Sequence, residues 1–547
     1  MQELTRPSPV LTVTSRVAQR LETSPWRRLP IMLAAACAVL LSACVHAGVG
    51  SAPAPADAEQ ATARYLASIQ DSPQLLLAFA RDLPKGADLH NHLSGAVYAE
   101  HFLEWAAQDG RCIDRRTMAA VAPPCDVTRG MPAAAAAMQD QQLYDQVIDA
   151  WSMRDFVPAS GRSGHDHFFD TFEKFGLAEE GHRGDMLALA MQQAAREHVL
   201  YLELMVTPAE ESVLALAHGS GWVTDLAQLH GRLTAGMPAV VAAANAELDQ
   251  AERQMRADLR CDTPRADAGC EVQVRFLYQV LRGLPPEDVF AQLLLGFELA
   301  SHDPRVVGLN MVMPEDGHVS MRDFRLHMSM LDFLHARYPA VHIALHAGEL
   351  TQGLVPPEGL GFHIRASVEQ GHAERIGHGV DIMHEEDPVA LLGELARRHV
   401  LVEICLTSNK TILGVDGDEH PLPTYLRAQV PVALATDDAG VSRSSFTGEF
   451  VRAVQQYHLS YAILKMMIRA SVEHTFLPGT SLWAEPEHFQ VVSQCAEDVP
   501  GAAHPSPACA GFLALSEKAA LEWRQEAAFN AFELQAARGG APGRAGR

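Results

Sequence analysis

Residues 341–349 read Val-His-Ile-Ala-Leu-His-Ala-Gly-Glu, a short apolar run that ends in a histidine and then a glutamate. A run of this length, bounded by polar residues, is typical of a buried strand. Three other runs also end in side chains suited to acid–base or metal chemistry: His90-Asn91-His92, His378 and Asp437-Asp438. The sequence therefore predicts that its reactive residues gather at strand ends.

Eight apolar runs predict strands, and helical patterns lie between them. The predicted strands are residues 87–90, 200–206, 272–281, 306–312, 341–346, 375–378, 400–404 and 431–436, and the clearest helical stretches are 185–198, 287–300, 321–336 and 388–398. Alternating strands and helices predict an α/β fold with a parallel sheet covered on both faces. Eight such units predict a (β/α)8 TIM-type barrel, whose active site lies at the carboxyl ends of the strands.

The rest of the chain is organised around this barrel, which we expect to occupy residues 61–537. Two long helical insertions are predicted at about residues 103–180, after strand one, and 208–270, after strand two. Residues 45–60 are rich in Ala, Gly and Pro and predict a flexible tether. Residues 538–547 predict a disordered tail.

The N-terminal segment resembles an export signal. Arg27 and Arg28 precede an apolar run at residues 29–41, which is too short to span a bilayer but suits a signal peptide. Leu-Ser-Ala-Cys at 41–44 resembles a bacterial lipobox, so we expect residues 1–44 to be removed up to a lipidated Cys44. The alternative is an ordinary signal cleaved near Ala47. The first interpretation predicts an exported lipoprotein of the periplasm or outer membrane, which contacts the membrane only through its anchor.

Cysteine spacing agrees with export. Six of the nine cysteines form close sequence pairs in loop-like stretches: Cys112 with Cys125, Cys261 with Cys270, and Cys495 with Cys509. In an oxidising compartment such pairs are expected to form disulfides, although free thiols remain the alternative. Cys405 follows an apolar run and is interpreted as a buried small hydrophobe.

Composition excludes one class of partner. The chain has 547 residues, is 48% hydrophobic and carries a formal net charge of −24. Nucleic acid is excluded as a partner, because binding to phosphates requires clustered Lys and Arg. We expect a small-molecule substrate instead.

Four residues form a candidate metal site. His90 and His92 are two positions apart, a spacing that points both side chains of a strand to one face. Together with His346 and Asp437 they supply three imidazoles and one carboxylate, a set that suits Zn²⁺ and leaves a position for water.

Glu349, His378 and Asp438 remain available for proton transfer. Each of them also has an ordinary structural interpretation: a surface carboxylate for Glu349, a core histidine for His378 and a helix N-cap for Asp438.

Four segments together resemble the zinc-dependent adenosine/AMP deaminase family of the amidohydrolase superfamily. They are Lys-Gly-Ala-Asp-Leu-His-Asn-His-Leu-Ser-Gly-Ala (85–96), His-Ala-Gly-Glu (346–349), Arg-Ile-Gly-His-Gly (375–379) and Thr-Asp-Asp (436–438). The leader, the cysteine pairs and the insertions are also similar to the secreted growth-factor-like branch of this family, in which insertions can mediate a homodimer.

The resemblance implies specific roles. His90, His92, His346 and Asp437 would bind one zinc ion, Glu349 would protonate purine N1, His378 would handle the attacking water, and Asp438 would accept a hydrogen bond at purine N7. The implied reaction is hydrolytic deamination of adenosine, deoxyadenosine or a related 6-aminopurine nucleoside to the 6-oxopurine and ammonia.

The sequence departs from the family pattern at the substrate. Ser94 stands where an Asp usually contacts the ribose, and Met313 stands where a Gly amide usually contacts purine N3, whereas Glu315 matches the family's Glu. The alternatives are therefore another mononuclear amidohydrolase, acting on an N6-alkylated purine, a pterin or an amide, and a non-catalytic binding module that has kept the barrel.

Overall fold

Eight parallel strands form one sheet in the computed structural model, which describes residues 55–159 and 161–538. In chain order the barrel strands are β1 (Gly86–His92), β2 (Val199–Val206), β3 (Gln273–Leu281), β4 (Val306–Val312), β5 (His342–Ala347), β6 (Arg375–His378), β7 (Leu401–Ile404) and β8 (Val432–Leu434). Each strand pairs with the next one in sequence. The predicted fold is confirmed, since every predicted strand forms within two residues of its expected bounds.

The barrel closes between β1 and β8 through the backbone of Asp437. The amide of Asp437 donates to the carbonyl of His90 (2.8 Å), and the amide of His92 donates to the carbonyl of Asp437 (3.3 Å). Asp88 strengthens this seam, because its carboxylate accepts hydrogen bonds from the amide (3.3 Å) and the hydroxyl (2.6 Å) of Thr436. Three of the predicted site residues therefore lie where the sheet closes on itself.

The helices include the four predicted stretches and several that were not predicted. Helices of eight or more residues are Pro55–Ile69, Pro73–Asp82, Ala99–Gln108, Gln141–Ala150, Gly164–Glu179, Arg183–Arg196, Glu210–Ser220, Leu226–Thr234, Met237–Asp258, Pro286–His302, His318–His335, Pro388–Arg397, Phe446–Tyr457, Tyr461–Glu473 and Glu517–Ala537. Of these described helices, none is both long and apolar enough to cross a membrane.

Shorter elements complete the described chain. Short α-helical segments are Leu93–Ala96, Ala134–Ala137, His363–Glu369, Leu406–Ser408, Leu422–Arg427 and Pro507–Leu513. Single 3-10 turns are Val127–Arg129, Ala268–Glu271, Pro357–Gly359, Ile382–His384, Gly417–Glu419 and Ser493–Cys495, and Asn409–Leu413 is a π-helical turn. Two antiparallel hairpins pair Cys112–Asp114 with Ala119–Val121 and Trp483–Glu485 with Gln490–Val491.

Three disulfide bonds link the expected cysteine pairs: Cys112–Cys125, Cys261–Cys270 and Cys495–Cys509. The first two lie in the stretches predicted as insertions, and the third lies just before the C-terminal helix. Cys405 is a free, buried cysteine.

One boundary prediction is wrong at its end. The flexible tether expected at 45–60 cannot extend to residue 60, because a helix begins at Pro55. The Ala58 side chain is fully buried, and the Glu59 carboxylate lies 2.8 Å from Lys465 Nζ, so this helix is packed and tied down. The predicted signal at 1–44, its Cys44, the rest of the tether and the tail beyond Arg538 lie outside the described residues.

A chain of buried charges crosses the barrel interior. Arg375, the first residue of β6, donates from Nε to Glu403 on β7 (2.7 Å) and from Nη2 to Glu203 on β2 (2.6 Å). Glu403 also lies 2.7 Å from Nδ1 of His90. All four side chains are 0% exposed. This network connects the barrel core to a candidate metal ligand.

Replacing Arg375 with Met should destabilise the protein strongly. The substitution leaves Glu203 and Glu403 buried without their cation, and such a loss costs on the order of 3–5 kcal/mol. Urea unfolding measures the effect, with Arg322→Met as the control, because Arg322 is an exposed arginine that pairs with the adjacent Asp323. Equal unfolding midpoints for the two variants would contradict the role of the network.

Candidate functional site

Four side chains at the carboxyl end of the barrel converge on one point. Nε2 of His346 lies 3.0 Å from Nε2 of His90 and 3.2 Å from Nε2 of His92. Oδ1 of Asp437 lies 3.5 Å and 3.3 Å from the same atoms of His90 and His92. One ligand atom from each residue lies within 4.8 Å of the others. The structure thus brings together the four residues predicted as metal ligands.

The outer nitrogen of each imidazole faces an oxygen that can only accept a hydrogen bond. The pairs are His90 Nδ1 with a Glu403 carboxylate oxygen (2.7 Å), His92 Nδ1 with Gln279 Oε1 (2.8 Å) and His346 Nδ1 with Asn310 Oδ1 (2.8 Å). Each Nδ1 must therefore carry the proton, which leaves the Nε2 lone pairs turned inward.

Three inward lone pairs and a carboxylate about 3 Å apart repel one another unless a cation lies between them. Imidazole nitrogens and a carboxylate oxygen are ligands that suit a divalent transition metal. The donor set therefore fits a metal ion.

The residues that hold these imidazoles were not found from the sequence. Asn310 and Glu403 are each the one polar residue of an apolar barrel strand, whereas Gln279 lies in a strand that also carries Gln273 and Arg275. Burying an unpaired polar group is costly, so a lone polar residue in a fully buried strand signals a buried partner. That signal was available in the sequence.

The backbone at the site adopts conformations that L-residues rarely populate. Asp437 has φ 59° and His378 has φ 68°, both in the left-handed region. Such positions persist only where the surroundings hold them, and they concentrate at functional sites. Asp437 is held by its seam hydrogen bonds and by the Ser408 hydroxyl, which donates to Oδ2 (2.6 Å).

A second possible ligand set overlaps the first. His378 and Cys405 lie with His90 and Asp437 within the same 4.8 Å limit. Burial and nearby carboxylates raise the pKa of the Cys405 thiol well above its usual value, so the thiolate that a metal needs is disfavoured. The three-histidine set is therefore the better candidate.

Glu349 lies on a loop that Glu315 holds in place. One Glu315 oxygen accepts from the amide of Gly348 (3.1 Å) and from Nδ1 of His363 (2.5 Å), and the other accepts from the amide of Glu349 (2.8 Å). Both oxygens of Glu315 are thus engaged with the loop and its neighbour. Glu315 therefore positions Glu349 within this structure.

The three residues predicted for proton transfer each present a buried atom that has no hydrogen-bond partner among residues 55–159 and 161–538. These atoms are Glu349 Oε1, His378 Nε2 and Asp438 Oδ1. Glu349 Oε1 also lies 3.7 Å from Nδ1 of His378. Other buried atoms of the described chain also lack partners, so it is the grouping of these three beside the ligand residues that indicates a place for water or substrate.

Burial shapes the protonation of these groups. Burial, together with the charges of Asp437 and Glu315, holds the pKa of Glu349 well above its usual range, so its carboxyl keeps a proton. Burial and the Asp437 charge likewise raise the pKa of Asp438. Burial lowers the pKa of His378 to about 3, which keeps its ring neutral. A proton donor therefore sits beside a neutral imidazole.

Two glycines of the quoted motifs make room for site residues. A Cβ on Gly377 would lie 2.4 Å from Cε1 of His90, and a Cβ on Gly95 would lie 1.5 Å from Oδ1 of Asp438. Any side chain at either position would displace a residue of the site.

Two residues predicted to contact the substrate, Ser94 and Met313, follow the carboxyl ends of β1 and β4. Ser94 lies in the single helical turn that follows β1 and is half-buried. Met313 follows β4 with φ 82°, is 38% exposed, and packs its terminal methyl against Gly283. The Nε of Arg282 donates to the Met313 carbonyl (3.2 Å), which fixes this strained residue.

Known proteins provide an independent comparison. The chain is 32% identical over 142 residues to an adenosine deaminase of Clostridium perfringens, a match that covers 26% of this chain and 40% of the relative. It is 30% identical over 213 residues to an adenine deaminase of Cupriavidus pinatubonensis, covering 38% of this chain and 55% of the relative. The chain thus spans between two-fifths and about half the length of these two relatives.

Solved structures match a larger share of the chain than these relatives do. An N6-mAMP deaminase from Arabidopsis is 23% identical, with a TM-score of 0.48 over 73% of this chain and 95% of that one. An adenine deaminase from Arthrobacter aurescens is 18% identical, with a TM-score of 0.46 over 72% of this chain and 94% of that one. The family model for adenosine deaminase matches residues 163–482, which is more than half of the chain. The chain therefore belongs to the adenosine deaminase family.

Proposed function

We propose that this protein is a zinc-dependent hydrolase that deaminates adenosine, deoxyadenosine or a related 6-aminopurine to the 6-oxopurine and ammonia. The observation that carries the proposal is the set of orphaned buried atoms on Glu349, His378 and Asp438, next to four converging ligand atoms. Deamination at a purine C6 needs an activated water, a proton donor for the ring and groups that hold both reactants. Family membership supports the same chemistry.

His90, His92, His346 and Asp437 are the residues that would hold zinc, because their free ligand atoms face one another. When bound at such a site, zinc lowers the pKa of a coordinated water to about 7 and makes it a nucleophile at neutral pH. Glu403, Gln279 and Asn310 fix the orientation of the three rings.

Glu349 is the proton donor in this proposal. A proton on purine N1 draws electron density from C6 and makes that carbon open to attack. Glu349 can supply it because its buried carboxyl stays protonated, and because Glu315 fixes the loop that carries it. The carboxyl thus performs acid chemistry at neutral pH.

Asp438 orients the purine through N7, but the direction of the hydrogen bond differs from our expectation. Purine N7 carries a lone pair and no proton, so Asp438 has to donate to it rather than accept. The carboxyl group of Asp438 occupies the space that a side chain at position 95 would fill, so Gly95 leaves room for it. His378 is left to contact the attacking water in this proposal.

The family resemblance would put Ser94 at the substrate's sugar and Met313 at an edge of its base. Two relatives named above act on adenosine and on adenine respectively, which differ only in the presence of ribose. We propose that these two residues determine which 6-aminopurine the protein prefers.

We also propose that the protein is exported and anchored through Cys44. The sequence pattern of residues 27–44 supports this proposal. Three disulfide bonds in the described part of the chain suit an oxidising compartment.

Replacing Gln279 with Leu should weaken zinc binding without unfolding the barrel. The substitution removes the acceptor that orients His92, and losing such a partner typically costs about 10–100-fold in metal affinity. Chelator competition on the purified protein measures the zinc dissociation constant. Gln273→Leu is the matched control, since Gln273 lies at the other end of the same strand and bonds to Glu517. Equal affinities for the two variants would contradict the proposed metal site.

Glu349→Gln should slow deamination severely while zinc stays bound. The amide keeps the shape of the side chain but cannot donate the proton as an acid does, so kcat should fall by about 10²–10⁴-fold. Conversion of adenosine, deoxyadenosine, adenine and N6-methyladenosine to the 6-oxopurine is measured on zinc-loaded protein; the first three release ammonia and the last releases methylamine. Glu358→Gln, an exposed change in the same loop, is the control. The proposed function fails if zinc-loaded wild-type protein converts none of these compounds to its 6-oxopurine.

Met313→Gly should shift the preference between nucleoside and free base. Removing a side chain that crowds the base should raise kcat/KM for adenosine relative to adenine by about tenfold or more. The ratio of the two kcat/KM values is measured, with Met138→Gly as the control, because Met138 is 47% exposed at the end of a short insertion helix. An unchanged ratio would exclude Met313 from substrate selection.

A further inference from the structure

A line of hydrogen bonds runs from a backbone amide to the ring of His378, and it begins at His420. The amide of Leu422 donates to Nδ1 of His420 (3.1 Å). A backbone N–H can only donate, so Nδ1 of His420 carries no proton. Burial lowers the pKa of His420 to about 4, which keeps the ring neutral at neutral pH. The single ring proton of His420 must therefore be on Nε2.

The next link is Asn409, whose side chain is fully buried. Nε2 of His420 lies 3.0 Å from Oδ1 of Asn409, so the histidine donates and the amide oxygen accepts. This fixes the orientation of the amide, because a flipped Asn409 would turn its NH₂ toward the N–H of His420. The NH₂ group is consequently directed at His378.

The last link fixes the tautomer of His378. Nδ2 of Asn409 lies 2.9 Å from Nδ1 of His378. Since the amide nitrogen donates, Nδ1 of His378 must accept and is bare. The proton of this ring therefore lies on Nε2, which is buried and has no partner among the described residues.

We propose that Asn409 and His420 are positioning residues that hold the ring proton of His378 on Nε2, so that His378 donates a hydrogen bond to the attacking oxygen instead of accepting one. The inference rests on the proposed function of the site. A preorganised N–H donor aimed at an oxygen that gains negative charge stabilises the transition state more than the ground state. The sequence reading left open whether His378 orients or deprotonates the water, and this geometry favours orientation.

Asn409→Asp tests the proposal, because it keeps the shape and replaces the donor with an acceptor. The ring of His378 should then carry its proton on Nδ1, which leaves a bare Nε2 at the reaction centre. Zinc-loaded protein labelled with ¹⁵N-histidine reports the position of the proton, since protonated and bare ring nitrogens have different ¹⁵N shifts. The signals of His378 are identified by their loss in His378→Gln.

The expected result is a proton on Nε2 in the wild type and on Nδ1 in Asn409→Asp. With the donor lost, kcat should fall by about 10²–10³-fold, while KM stays within about threefold and zinc content is unchanged. Asn530→Asp is the matched control, because the side-chain amide of Asn530 donates to the Pro500 carbonyl and lies outside this line. A wild-type proton on Nδ1, or a tautomer that Asn409→Asp leaves unchanged, overturns the proposal.

A second pair of variants decides the matter if Asn409→Asp does not fold. His420→Gln retains a donor toward Asn409, whereas His420→Leu removes it at similar size. The proposal expects His420→Gln to keep a near wild-type kcat. It expects His420→Leu to show a mixture of His378 tautomers and a reduced kcat. Equal behaviour of the two variants overturns the proposal. The ¹⁵N readout needs no substrate. A protein that deaminates no 6-aminopurine but shows the expected tautomers would refute the proposed function and leave the positioning role intact.

Discussion

The backbone hydrogen bonds of Asp437 determine both the fold and the site. They close the barrel between its first and last strands, and the same residue supplies the carboxylate that faces the histidines of β1. The ligand geometry is therefore a consequence of barrel closure rather than of a flexible loop. The left-handed backbone of Asp437 is tolerated because the seam holds it on both sides.

Acceptor atoms that face one another repel, so the site needs surrounding groups that hold its side chains in place. The buried charges in the barrel core supply part of this support. Glu403 orients His90, and Arg375 neutralises Glu403 from below, while Glu203 binds the other side of the guanidinium. Burying several charges is costly unless each is paired and hydrogen-bonded. Here the paired charges run without a break from Glu203 on β2 to the candidate ligand His90. The stability of the core and the orientation of His90 are therefore coupled.

The sequence predicted the barrel because its strands are mostly apolar runs that alternate with helical patterns, and it predicted the ligands because His90, His346 and Asp437 lie at the ends of such runs. It did not predict the partners that orient them, because a polar residue such as Asn310 in a buried strand signals only that some partner exists, and the partner is identified only once the neighbouring strands are in place. The line of hydrogen bonds through Asn409 and His420 could not be predicted from the sequence either, because its direction depends on the backbone amide of Leu422. The start of the helix at Pro55 was not predicted, because the Ala- and Pro-rich composition typical of a tether continues into its first residues.

The histidines of the site differ in one respect that decides their use. The outer nitrogens of His90, His92 and His346 face oxygens that only accept, which forces their protons outward and turns lone pairs toward a cation. The outer nitrogen of His378 faces an amide donor instead, which turns its proton inward. Identical side chains within a few ångströms thus acquire opposite roles, ligand or donor, from whether their outer partner accepts or donates. Family membership identifies the histidines, but only these partners explain why three of them suit a metal and the fourth suits a reacting oxygen.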